Sequence, residues 1–489
     1  MKTLKRWLYL LHRWFGVVMC LAFALWFASG IVMMYVEYPE LTEEERSYFL
    51  PRLNLDAINL SIAELETRLP AEKSIQQLTL TTILGRPAFQ AQLNDNRLLT
   101  VFADTGEVLT AVTPMLAEQA AADFTDSGTP QYERLVEMDQ WTVSGVLHPY
   151  RPLHKVRLNN PANSIVYVSD VTGQVVRDTH GYERMWNWLG STIHWIYPMQ
   201  LRRHPALWTD VVIYVSLLGL VSVVTGTVVG FIRLRIKQRY KNGSLSPYKG
   251  WQKWHHFLGL TCVIFVAMFL VSGLFSMNPW GIFNNNTSPV EQIRRYHGAD
   301  YALTGLQQAL DNLAVQTVPN NLKELHWQFI GGKGFLIGAT PSGRKILGYT
   351  EQQVDDLLQQ TMPTLIPNQL ARVDTVAAFD NYYYSTHNRY RPLPVYRAIF
   401  SDPDRTWFYI DARSGEMLGR STRTDRVERW LYNGLHSLDF RFLLAYRPLW
   451  DIVVIILSVA GLAFCWTSIV IAWRRTLIKL KIKPKTRYV

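Results

Sequence analysis

The chain has 489 residues, 48% of them hydrophobic and 13% aromatic, with a formal net charge of +11 and three cysteines. That length admits several domains, and so few cysteines exclude a disulfide-stapled scaffold. Residues 1–13, 233–254 and 474–489 carry Lys and Arg but no Asp or Glu, so the basic excess describes membrane topology and not nucleic-acid binding.

Residues 1–36 read as an inner N-terminus and a first membrane helix. Their uncharged run, Trp14 to Val36, is longer than the 7–15 residues of a signal-peptide core and is taken as a retained anchor. Residues 37–205 read as a first exterior α+β domain with an interfacial segment. Ser61 to Leu69 predicts a short helix; Ala88 to Leu93 and Leu98 to Phe102 predict strands ending at the turn Asp104-Thr105-Gly106-Glu107. The pattern returns in Ser164 to Val168 before Asp170-Val171-Thr172-Gly173, which suggests two similar small units.

A second membrane helix is expected in 206–232, a basic cytoplasmic loop in 233–254 and a third helix in 255–283. The uncharged runs behind these are Val211 to Ile232 and Phe257 to Phe283. Residues 284–447 repeat the exterior plan, with a helix over Leu303 to Leu313 and strands over Leu325 to Phe329, Phe335 to Ala339 and Trp407 to Ile410. The glycines at Gly331, Gly332 and Gly334 predict a hairpin, because no Ser/Thr and no helix follow as a phosphate loop requires. A fourth helix is expected in 448–473, with the run Ile452 to Trp473, and a basic cytoplasmic tail in 474–489. Cys20, Cys262 and Cys465 all fall within these helices, which leaves none for an exterior disulfide. No nucleotide or flavin fingerprint appears, so an inner electron donor would be another protein or a quinone.

Two sets of residues recur at a fixed offset. His12, Gly16, Ser29 and Gly30 align with His255, Gly259, Ser272 and Gly273 at 243 residues; Trp188, His194, Trp208 and Gly219 align with Trp430, His436, Trp450 and Gly461 at 242. The chain therefore reads as an internal duplication, each half supplying one histidine before its first membrane run and one before its second. A lone histidine at a membrane boundary is ordinarily an interfacial ring, and glycines in a membrane helix ordinarily permit close packing. Here His12, Gly16 and Gly30 share one helix face, as do His255, Gly259 and Gly273, which also suits a flat macrocycle lying against the helices.

Two imidazoles on one iron place their nitrogens about 4 Å apart, and His12 and His194 belong to opposite membrane surfaces. The pairing must then cross the repeat: His12 with His255 near the inner surface, His194 with His436 near the outer one. Imidazole suits haem iron. Zinc ranks lower, because no third ligand recurs with these histidines. His256 competes with His255, since neighbours on a helix point about 100° apart and only one can face the partner. In the exterior segments, His148 and Arg151 resemble His387 and Arg391 with a His-to-Arg spacing one residue different; the arginines would suit an anionic ligand, but a turn entering a strand is the favoured reading. No catalytic residue is assigned.

The segments LLHRWFG, WHHFLGL, RPLPVYR with WFYIDARSGEML, and WLYNGLHSLDF with RPLWDIVVIILSVAGL resemble the PepSY-associated transmembrane proteins, the iron-regulated inner-membrane group that includes siderophore reductases. The first half departs from that pattern, with RPLHKVR and WLGSTIHWIYP. The resemblance implies four membrane helices, PepSY-like exterior domains, bound haem b and transfer of electrons to a ferric siderophore outside. Its haem-ligand role carries to His12, His194, His255 and His436. The expectation is a bacterial inner-membrane oxidoreductase of the ferric-siderophore reductase type, with two haems, lipid contact, both termini cytoplasmic and large domains periplasmic. The alternative is a membrane-tethered PepSY binding module that inhibits or senses a periplasmic peptidase or cell-wall component.

Overall fold

The computed structural model describes residues 2–70, 74–285, 288–298, 302–303, 305–314, 318–386 and 390–479. They form two compact units. The first, a helical unit, draws on residues 2–38, 185–284 and 426–479. The second, an α/β unit, spans Pro39–Arg184 and Asn285–Asp425.

Four helices of the first unit, Lys2–Met33, Pro205–Arg233, Trp251–Phe275 and Arg447–Lys479, are long and apolar enough to cross a membrane. A helix satisfies its own backbone groups, the requirement that hydrocarbon imposes. The four close a ring in which the first packs on the second and fourth, and the third packs on the second and fourth. Small residues make this possible. Ser216, Gly219, Ser222 and Thr225 form a buried stripe along the second helix at a spacing of three, which lets backbones approach closely. Mid-bundle, two glycines admit rings from the first helix: a Cβ on Gly219 would come within 2.9 Å of Phe23, and one on Gly461 within 2.5 Å of Phe27. Around them Met19, Leu270 and Cys465 complete an apolar core.

The helix ends depart from the uncharged runs. The first and third helices begin inside their basic flanks, because Lys and Arg stems lie along a helix while their heads reach water. The third stops at Phe275, although its uncharged run continues to Phe283. Pro279 cannot continue the helix, Asn278 adopts the left-handed conformation at φ 44°, and its side-chain oxygen accepts the Phe283 N–H at 2.9 Å. Between helices, the short helix Ser191–His194 packs on the first membrane helix, and the π-helical turn Trp430–Gly434 packs on the third.

Among its described residues the α/β unit holds fourteen strands: β1 Ile75–Ile83, β2 Arg86–Leu93, β3 Leu98–Phe102, β4 Gln131–Val136, β5 Leu153–Arg157, β6 Ile165–Ser169, β7 Val175–Thr179, β8 Glu324–Ile330, β9 Lys333–Thr340, β10 Gly343–Ile346, β11 Leu370–Val376, β12 Val395–Phe400, β13 Trp407–Asp411 and β14 Met417–Ser421. Sequence reasoning gives each half its own domain, but the two halves share one six-stranded antiparallel sheet, ordered β10-β9-β8-β1-β2-β3. The seam pairs Leu78 with Trp327, Thr79 with His326 and Leu80 with Leu325. Three strands alone would leave an edge, and joining two such edges removes both. Leu65, Leu78, Phe89, Leu306, Leu325 and Trp327 fill the core of this sheet. Each half also keeps a four-stranded sheet, β4-β5-β6-β7 and β11-β12-β13-β14.

The register of these smaller sheets corrects one alignment. Leu153 pairs with Ser169 and Val395 with Asp411, so the strands correspond at an offset of 242. The glycines of the following turns, Gly173 (φ 71°) and Gly415 (φ 67°), agree with it. Arg151 therefore corresponds to Leu393 and not to Arg391.

Candidate functional site: two facing histidine pairs

In the helical unit His12 and His255 face one another from the first and third membrane helices, with ring centroids 6.1 Å apart. His194, at the end of its short helix, faces His436, which follows the π-helical turn, at 5.9 Å. Ser29 and Ser272, which touch the second pair, lie seventeen residues along their helices from His12 and His255. That spacing is about 26 Å of helix.

Each ring is held by its Nδ1. His12 Nδ1–H donates to the Ser222 carbonyl at 3.1 Å, His194 Nδ1–H to the Trp26 carbonyl at 3.2 Å, and His436 Nδ1–H to the Phe269 carbonyl at 3.1 Å. Ser29 and Ser272 each add a hydroxyl oxygen 3.1 Å from Nδ1 of His194 and His436. For His255 the acceptors are the hydroxyl oxygens of Thr467 at 3.3 Å and Ser468 at 3.1 Å, whose own protons go to the Phe464 carbonyl. Donation from Nδ1 fixes the tautomer and leaves the Nε2 lone pair available, the arrangement that orients a metal-binding imidazole. Among the described residues none of the four Nε2 atoms has a hydrogen-bond partner.

His256 differs. Its Nε2–H donates to the Gly230 carbonyl and its Nδ1 meets Ser246 Oγ, both at 2.8 Å, in a buried position. With both nitrogens engaged it ties the third helix to the end of the second and leaves His255 to face His12.

The residues fit an iron between the rings. Two nitrogens about 2 Å from a metal, each about 1.1 Å from its own ring centre, separate those centres by about 6 Å. A cavity of about 280 Å³ opens beside the first pair, lined by His12, Gly16, His255, Gly259 and Phe464 among others. The glycines divide by what surrounds them. A Cβ on Gly16 would meet only Ser222 Oγ, at 3.9 Å, so helix packing does not require glycine there. On Gly259 it would come within 3.1 Å of Phe464, which stacks on His255. A Cβ on Gly30 or Gly273 would lie 3.5 or 3.2 Å from Cε1 of His194 or His436, so these glycines stand directly against the imidazoles.

Sequence reasoning missed Gly226, whose Cβ would fall 2.5 Å from His12 Cε1. It stands 242 residues before Ser468, the partner of His255, and that offset was the available signal. Trp208 and Trp450 stand out only as a repeated pair; each indole N–H donates to the carbonyl of the residue after a site histidine, Trp195 at 3.0 Å and Ser437 at 2.8 Å. They clamp the segments that present His194 and His436.

The weaker pair in the α/β unit is not brought together as an equivalent set. Arg151 is spent locally, on His148 Nδ1 at 2.7 Å and on the Thr142 and Ser144 carbonyls. Arg391 lies over the Tyr383 ring at 5.0 Å, and His387 falls outside the described residues.

A ring of four membrane-length helices that presents two facing imidazole pairs, joined to an antiparallel α/β unit, defines an integral membrane protein with paired-histidine sites. The chain belongs to the PepSY-associated TM region family, whose family model matches residues 9–475. No curated protein matches it.

Proposed function

We propose that this protein is a b-type haem protein of the bacterial inner membrane that moves electrons across the bilayer to a periplasmic acceptor, a ferric siderophore being the expected one. The observation that carries the reading is the pair of imidazole pairs, with ring centres 6.1 and 5.9 Å apart and each Nδ1 engaged so that Nε2 keeps its lone pair, a spacing that suits an iron between the rings. His12 with His255 and His194 with His436 would hold the haems, and bound haem would supply a one-electron ferric/ferrous couple. The chain's own part is to fix both imidazoles of each pair, to surround them with apolar side chains, and to separate the two levels along the bundle. The three basic segments support a cytoplasmic side for both termini by the positive-inside bias. The recurrence supports the symmetry of the second pair, where Ser29 and Ser272, Trp26 and Phe269, and Trp208 and Trp450 serve His194 and His436 alike.

The test is the visible spectrum of the detergent-purified protein, oxidised and dithionite-reduced, with haem quantified per chain. It is followed by reoxidation with a ferric hydroxamate chelate while ferrous iron is trapped. About two six-coordinate b-type haems per chain and chelate-dependent reoxidation are expected. A colourless protein from haem-sufficient cells would refute the reading and leave a tethered binding module.

A further inference from the structure

The cavity beside His12 and His255 has a polar end. Its apolar part is walled by Val17, Phe23, Val263 and Val266, while Arg13, Arg475, Gln252 and Tyr9 also line it. Among the described residues no carboxylate does. Arg13 directly follows His12, and Arg475 is seven residues, two helical turns, beyond the Ser468 that bonds His255, so both approach the site from the basic end of their helices. Arg13 is exposed and Arg475 half-buried, and two guanidinium groups lining one cavity repel each other unless an anion lies between them. Among the described residues neither makes an ion pair, and Nε of Arg475 is buried with no hydrogen-bond partner. The cavity is thus apolar in depth, carries two imidazoles with open Nε2 atoms, and ends in two unneutralised cations.

We infer that Arg13 and Arg475 recognise the carboxylates of an amphipathic, dianionic macrocycle and orient it edge-on in this cavity, with its carboxylates toward the basic end of the bundle. This rests on the haem reading above and deepens it by assigning the anion-binding residues. Guanidinium suits the task because its planar fork matches a carboxylate in two parallel hydrogen bonds. Loss of the cations leaves the carboxylates uncompensated near the iron, which favours the ferric state and lowers the reduction midpoint of this site.

The experiment is a spectroscopic redox titration, with haem quantified per chain, of the full-length protein and of the Arg13→Gln/Arg475→Gln and Arg13→Lys/Arg475→Lys double variants. In the glutamine variant one of two midpoints is expected to fall so that the ferrous-to-ferric ratio at fixed potential drops about tenfold, about 59 mV for one electron. The lysine variant is expected to restore most of it. Loss of one haem from the glutamine variant but not the lysine variant would report the same recognition. Unchanged midpoints at full haem content, or loss of haem in both variants, would overturn it. So would release of co-purifying anionic phospholipid with both midpoints intact, which would assign the arginines to a lipid phosphate. A haem-free wild-type protein would instead remove the parent reading.

Discussion

Gly226 offers the sharpest test of the first histidine pair, because it is no ligand and its change to alanine adds a single methyl. That methyl would lie 2.5 Å from Cε1, 2.7 Å from Nδ1 and 3.4 Å from Nε2 of His12. Carbon atoms in contact prefer about 3.5–4.0 Å, so the ring must retreat by about 1 Å. Metal–nitrogen bonds hold to within about 0.2 Å, which such a retreat far exceeds. It would also pull Nδ1 from the Ser222 carbonyl, one turn away on the same helix as Gly226. The alternative, displacement of the second helix, disturbs its packed stripe and costs about 1–3 kcal/mol as overpacking does. Gly226→Ala is therefore expected to lower six-coordinate haem from about two per chain to about one, read by haem quantification and the low-spin spectrum of the oxidised protein. Gly16→Ala is the companion: it crowds no protein atom, so any haem it displaces reports an occupant of the cavity. Two six-coordinate haems with unchanged midpoints in Gly226→Ala would refute the claim that the position of His12 is set by ligation.

His255→Ala should remove one haem, whereas His256→Ala should keep both while loosening the contact with Gly230; equal haem loss from the two would reverse the assignment. Trp450→Phe leaves the Ser437 carbonyl without its donor, a loss of about 1–3 kcal/mol at a buried group, and should raise the rate at which the second pair releases haem to an apo-globin trap; an unchanged rate would make Trp450 a packing residue only. In the α/β unit, burial, with Glu45 and Glu183 nearby, pushes the Asp178 carboxyl up to about 7. The folded state then holds a proton that the unfolded chain loses from about pH 4, so stability declines as pH rises toward 7 and is level above it. Roughly 2 to 3 kcal/mol should be lost between pH 5 and pH 8, seen as reduced hydrogen-exchange protection in β6 and β7 after correction for intrinsic rates. Asp178→Asn should abolish the slope, and a wild-type unit equally protected at both pH values would contradict it. Replacing Glu324 by Gln should destabilise the same unit by about 1.5–3 kcal/mol, because it removes the buried carboxylate that bonds the part-exposed Arg46 while Glu43 still pairs with that arginine; unchanged thermal stability would show that pair to be dispensable.

The four histidines were legible because each recurs, at an offset of 243 or 242, before an uncharged run, and a run of that length has one stable form in lipid. Their supports were not. Ser468, Thr467 and Gly226 sit on helices far along the chain from the rings they touch, and nothing in their own neighbourhoods marks them. His255 and His256 are adjacent at a helix edge, where periodicity gives a direction to each but no partner; only the Gly230 carbonyl and Ser246 hydroxyl separate them. The shared sheet was hidden for a similar reason: β1 and β8 each read as a good strand, and an edge seeking a partner looks the same whether that partner is nearby or, as for Thr79 and His326, 247 residues away. The Arg-Pro-Leu words of 151–153 and 391–393 misled, since identical letters two residues out of step with the strand register outweighed the true offset.

The rings that Gly219 and Gly461 admit, Phe23 and Phe27, sit midway along the bundle amid Met19, Leu270 and Cys465, with no Asp, Glu, Lys, Arg or His among them. On the proposed function, such a dry septum lets an electron cross where a proton has no carrier. The transfer would then be electrogenic. Each outward electron would move down a potential that is negative inside, gaining about 2.3 kcal/mol per 100 mV, so the voltage of an energised membrane would itself help to drive reduction on the far side.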